Sequence, residues 1–167
     1  TGSAPSPGTG SGTGPDPDAQ SDSPSGLTHT GKQVYDAPSL KDVDDMIASF
    51  VDAIVAAKDV GFDCAEVHGA HGYLVDEFFW DVMNVRDDKY GGSLASRANF
   101  AGEIISQAKA KVGPDFPIIL RVSQWKQFDY DARLATTPQE LEAFFKVFVD
   151  AGVDCIHCSQ RRYWEPE

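Results

Sequence analysis

The sequence predicts an α/β domain in which short parallel strands alternate with amphipathic helices. Two observations carry this expectation. Three segments repeat apolar residues at helical spacing behind recognisable caps, and three short runs rich in branched residues follow them in turn. Runs of that kind are expected of strands buried in a parallel sheet. The resulting order, α-β-α-β-α-β, is that of strands joined by helical crossovers.

The elements follow in chain order. Residues 1–26, TGSAPSPGTGSGTGPDPDAQSDSPSG, hold almost no large apolar side chain. Such a stretch buries too little surface to offset the entropy of ordering, so a flexible segment is expected there and a folded domain over 27–167. Its alternating glycines are preceded by no strand and do not form a phosphate-binding G-x-G-x-x-G turn. The first helix is predicted over 40–59, with Ser39 as N-cap and Val43, Met46, Ile47, Phe50, Val51 and Ile54 on one face. A second is expected over 94–112, ending at Gly113-Pro114. The third starts at a capping box, Thr137-Pro138-Gln139-Glu140, and carries Leu141, Phe144, Phe145, Phe148 and Val149 as its apolar stripe. The strands are expected at 63–68, 117–122 and 153–158.

A faint internal echo accompanies these elements. DVGFDCAEVH and DAGVDCIHC share the frame Asp-x-Gly-x-Asp-Cys where a helix joins a strand. Repetition of one such joint suggests equivalent αβ units, as in a (β/α)₈ barrel, although one pair is a weak signal. A closed barrel needs about 250 residues, and three strands cannot close. Two arrangements stay open: a small open sheet, or a piece of a longer barrel.

Composition excludes some functions. A formal charge of −12 disfavours nucleic acid and anionic membrane surfaces, both of which call for a basic face. No apolar run approaches the length of a membrane span, and no signal peptide precedes the first element. Cys64, Cys155 and Cys158 are an odd, sparse set, expected of a reducing cytoplasmic setting.

In parallel α/β sheets the chemistry sits beyond the C-terminal ends of the strands. His68, Arg121 and the pair Cys158-Ser159 fall at such ends, and AEVHGAHGYL places His71 and Tyr73 just after His68. A lone histidine is usually structural, but two imidazoles and a phenol within six residues at one strand exit are harder to dismiss. Zinc would need three or four ligands. His68, His71, Glu66 and His157 are candidates by type, without the helical spacing of a metalloprotease motif, so no metal ligand is assigned. Cys155 and Cys158, three apart on a strand, point to opposite faces. Ser93, Ser123 and Ser159 lie in no G-x-S-x-G elbow. What remains is a set of hydrogen-bond donors suited to polarising a carbonyl oxygen and delivering a proton.

The stretch GFDCAEVHGAHGYLVDEFFWDVMNVRDDKYGGSLASRANF resembles the signature of the old yellow enzyme family of FMN-dependent oxidoreductases. Asn84, Arg86, Asp88, Tyr90, Gly91, Gly92, Ser93 and Arg97 match that signature in order, and VGPDFPIILRVS is similar to the family's next strand. The resemblance implies a (β/α)₈ TIM barrel, of which this chain would hold about strands 4 to 6 with their helices. It implies that His68 and His71 donate hydrogen bonds to the oxygen of a carbonyl or nitro group, and that Tyr73 protonates the substrate α-carbon. It places Arg121 against the N1 and C2-oxygen edge of FMN, with NADH or NADPH as electron donor. Amine-oxidising relatives carry tyrosine at the position of His68, so the histidine pair points to reduction of activated alkenes. Trp125 and Trp164 are candidates for the substrate wall. Ala95-Ser96 and FFWDVMN depart from the usual pattern, and IHCSQRRYWEPE resembles a less familiar subgroup. The family's flavin-edge glutamine and phosphate anchor would lie elsewhere in the barrel, so the isolated chain is expected to be inactive and to self-associate. A catalytically silent half-barrel and a metal-dependent barrel hydrolase are the alternatives.

Overall fold

The computed structural model describes residues 22–162 and Trp164. Of the segment expected to be flexible, 1–21 lie outside the described residues. Residues 22–26 are held: Ser23 and Ser25 are buried, and the Ser25 hydroxyl accepts the Val85 N–H at 3.0 Å. A short turn follows, closed by an antiparallel bridge between Leu27 and Gln33.

The helices begin where local chemistry dictates. In α1 (Leu40–Asp59), the Ser39 hydroxyl accepts the Asp42 N–H and the Asp42 carboxylate accepts the Ser39 N–H. In α5 (Pro138–Ala151), Thr137 and Glu140 exchange the same pair of bonds, with proline at the first helical position. Each cap stabilises its helix by about 1 kcal/mol. The helix expected over 94–112 is interrupted at Ala98, giving α3 (Leu94–Arg97) and α4 (Asn99–Val112). A further helix, α2 (Leu74–Phe79), was not expected. Its six residues are too few to display a helical period, although Val75, Phe78 and Phe79 are all buried.

Three parallel strands, β1 (Ala65–His71), β2 (Ile118–Lys126) and β3 (Cys155–Cys158), lie in the order β1-β2-β3. The first two run three and four residues beyond the expected ends at 68 and 122. Pairing is regular from Ala65↔Ile118 to Gly69↔Val122, and resumes at His71↔Lys126. Three residues of β2, numbers 123–125, thus stand opposite the single residue Ala70. This bulge hides the strand ends from a reading of apolar runs, because pairing across it is decided by β2 and not by β1's own composition. Gly69 is needed there, since a Cβ would come within 3.0 Å of the Arg121 carbonyl and 3.2 Å of the Phe79 ring.

Alternation along the strands sorts the side chains into two faces. Val67, Ile118, Leu120 and Val122 are buried under the helices with Ile47, Val51, Ile104, Ile105, Phe144 and Phe148. Glu66, His68, Ile119, Arg121, Cys155 and His157 occupy the opposite face, none of them fully buried. Among the described residues no helix is long and apolar enough to cross a membrane.

Candidate active site

The open face of the sheet collects the ionisable side chains. His68, Arg121 and His157 form one register row across the three strands. One step earlier in that face, Glu66 accepts a hydrogen bond of 2.8 Å from His157 Nδ1. Arg121 donates from one terminal nitrogen to Ser159 Oγ at 3.1 Å, while its Nε–H is buried and meets no acceptor. An unused guanidinium donor on an open sheet face suits the electron-rich edge of a planar ring.

Above this row, β1 turns. His71 has φ +68°, a left-handed backbone otherwise adopted only by glycines among the described residues. Its N–H donates to Ser123 Oγ (2.9 Å), and its carbonyl accepts the Gln127 N–H (3.1 Å). The turn brings the His71 ring within 5.1 Å of His68, centroid to centroid, and stacks it on Trp125 at 4.5 Å. Tyr73 caps the start of α2, with its ring 5.3 Å from His68 and half exposed. His68, His71 and Tyr73 therefore converge as the sequence predicted, next to Arg121. Trp125 is buried against His71, whereas Trp164 is largely exposed.

Electrostatics fix the protonation state. Burial, helped by the neighbouring Arg121, lowers the His68 imidazole below its usual range despite Glu66. Burial and then Arg121, His68 and Lys126 push His71 down to about 4. Both rings are neutral at pH 7, so each has one N–H and one acceptor nitrogen. Ser159 Oγ lies 2.6 Å from His71 Nε2 and accepts from Arg121, so it can orient that ring.

Several contributors were not foreseen. The sequence marks Ser159 only as part of a strand-end pair and, like Ser123, as a serine lacking a nucleophile motif; the position of Ser123 depends on the bulge. Asp76 and Lys126, which form a fully buried ion pair at 2.8 Å beneath the His71 turn, carry no local signal. Among the described residues, no three His, Cys, Asp or Glu side chains converge as for a metal ion.

The matched signature downstream has a different role. Asn84 donates to the carbonyls of Phe78 (2.6 Å) and Tyr90 (2.7 Å), and accepts the Arg86 N–H. Arg86 binds Asp88 and the carbonyls of Pro24 and Pro38. Arg97 donates to the carbonyls of Phe79 and Gly92. A Cβ on Gly91 would sit 1.8 Å from the Arg86 carbonyl oxygen, so only glycine fits. These residues brace the loop that supports α2 and do not reach the site.

The chain is similar to known proteins. The chain is 40% identical over 125 residues to an NADH oxidase of Thermoanaerobacter brockii, covering 75% of this chain and 19% of that protein. It is 35% identical over 140 residues to an NADPH dehydrogenase of Halalkalibacterium halodurans, covering 82% and 39%. A 12-oxophytodienoate reductase 2 of Arabidopsis thaliana is 39% identical over 103 residues, covering 62% and 27%. The crystal structure of Old Yellow Enzyme from Pichia sp. AKU4542 superposes with a TM-score of 0.67 at 26% identity, covering 84% of this chain and 41% of that one. The chain thus spans less than half the length of each of these relatives. The model of the NADH:flavin oxidoreductase / NADH oxidase family matches residues 8–166, and the chain belongs to that family.

Proposed function

We propose that β1, β2 and β3 are strands 4 to 6 of a (β/α)₈ barrel that uses FMN and NADH or NADPH to reduce alkenes conjugated to a carbonyl or nitro group. One observation carries this reading. Two neutral imidazoles and a phenol converge at the C-terminal ends of parallel strands, beside an arginine with an unused donor. FMN, when bound, supplies hydride that it has received from the nicotinamide. Arg121 would hold the flavin's electron-rich edge at N1 and the C2 oxygen. His68 and His71 each donate an N–H to the substrate's carbonyl or nitro oxygen, drawing electron density from the conjugated β-carbon. Tyr73 keeps its proton on the phenolic oxygen until the α-carbon needs it. Family membership, and relatives named NADPH dehydrogenase and 12-oxophytodienoate reductase, support the assignment.

Parts of the barrel outside these strands would bind the flavin phosphate. Residues 1–167 alone should therefore hold FMN weakly and self-associate through the free edges of β1 and β3.

Phenol binding tests the reading, because a phenolate oxygen imitates the polarised substrate oxygen. In a complete, FMN-loaded barrel carrying these residues, His68→Ala or His71→Ala should each weaken phenol binding by about 1.5–3 kcal/mol. Unchanged titrations in both variants would remove the pair from the site.

A further inference from the structure

The Asp76–Lys126 ion pair is fully buried, with no exposed surface on either side chain. Burying two charges is costly, and an apolar pair of similar volume commonly serves stability as well or better. Its contacts indicate what it does instead. Both Asp76 carboxylate oxygens meet Lys126 Nζ, at 2.8 and 2.9 Å. One of them also accepts the Gly72 N–H at 2.8 Å, the peptide group that follows His71. Asp76 is the third residue of α2, whose N-cap is Tyr73, so the same carboxylate ties the helix start to the turn before it. On the other side, Lys126 Nζ lies 3.3 Å from the Ser123 carbonyl and 3.4 Å from that of Gln124. Those carbonyls belong to the β2 bulge, and so do the Ser123 hydroxyl that receives the His71 N–H and the Trp125 ring on which His71 stacks.

The pair therefore joins the two parts that set the position of His71. Asp76 closes the turn on its C-terminal side, and Lys126 satisfies the irregular backbone opposite. A non-glycine residue at positive φ persists only when its surroundings enforce it. We propose that Asp76 and Lys126 are positioning residues, which lock His71 in its left-handed conformation and hold its ring beside that of His68. The effect on catalysis rests on the function proposed above; the effect on His71 itself does not.

The decisive variant is the double substitution Asp76→Leu with Lys126→Met, which removes both charges together and leaves neither unpaired. Two readouts are taken. The first, without cofactor, is the His71 Cε1–H resonance, which stacking on Trp125 displaces upfield. The second is phenol affinity in a complete, FMN-loaded barrel carrying these residues. The variant is expected to fold, to lose the upfield displacement of His71, and to bind phenol about tenfold or more weakly, the value of one hydrogen bond to a charged group. A pair that serves only the core would change the melting temperature and leave both readouts in place, and that result overturns the proposal. If a complete barrel carrying the wild-type residues fails to bind FMN or phenol, the functional reading falls while the His71 resonance still decides the positioning role. Should the double variant not fold, amide exchange in wild type decides: the His71 and Gly72 N–H groups should exchange as slowly as those of β2. Rapid exchange at these two amides would sink the lock.

Discussion

Two neighbouring regions of this chain treat their hydrogen-bond donors in opposite ways. The loop 84–97 consumes nearly all of its own: Asn84, Arg86 and Arg97 spend their side-chain donors on six backbone carbonyls and on Asp88. The rim 68–73 and the adjoining Arg121 leave donors open, on neutral imidazoles, a half-exposed phenol and a buried guanidinium Nε–H. The long, easily matched stretch is the brace, and the proposed chemistry rests on four side chains. Resemblance spread over many residues can thus report how a site is supported more than what it does.

Substitutions in the two regions should separate stability from activity. The largest effect is expected from Asn84→Ala. It strands the buried carbonyls of Phe78 and Tyr90 and the Arg86 N–H, each at about 1–3 kcal/mol, for a loss on the order of 3–9 kcal/mol. Urea unfolding measures it. A loss under 1 kcal/mol would mean that the loop is not a brace.

Next comes Tyr73→Phe, which should leave stability near wild type and act on rate. Positioned acids contribute about 10²–10⁴-fold, so enone turnover in the complete barrel should slow within that range. A nitroalkene yields a nitronate stable enough to leave unprotonated, and its reoxidation of reduced flavin should be nearly unaffected. Stopped-flow absorbance with both substrates decides: equal slowing would make Tyr73 a packing residue, and no slowing would place the proton donor elsewhere.

A smaller effect is expected from Ser159→Ala. It removes the hydroxyl between His71 Nε2 and Arg121, a net contribution of about 0.5–1.5 kcal/mol. Phenol affinity should fall by that amount while the urea midpoint holds. An unchanged affinity would show that Trp125 alone orients the ring.

A last expectation concerns pH. An unperturbed imidazole protonates near 6.5, and folded His71 near 4. Between those values the unfolded chain binds more protons, so His71 costs stability as pH falls through this window. Urea midpoints of wild type and His71→Gln should diverge below pH 6.5, with wild type falling faster. Parallel curves would mean that the ring titrates alike in both states.

The sequence carried the caps at Ser39 and Thr137 and the convergence of His68, His71 and Tyr73, because each depends on residues a few positions apart. It did not carry α2, too short to show a period, nor the β2 bulge, which exists only through pairing with β1. The ion pair was invisible for the same reason: its partners stand 50 residues apart, and nothing local to either marks the other. What orients the site is therefore less legible than what composes it.

The bulge has a consequence for how such a pocket can be reshaped. Removing two residues from 123–125 would let β2 run flush beside β1, and the wall behind His71 would vanish along with the hydroxyl that receives its amide proton. Residue count in this short stretch is thus a control on the placement of His71 in its own right. Libraries that vary the length of 123–125 would sample pocket geometries that point substitution at any single position there cannot reach.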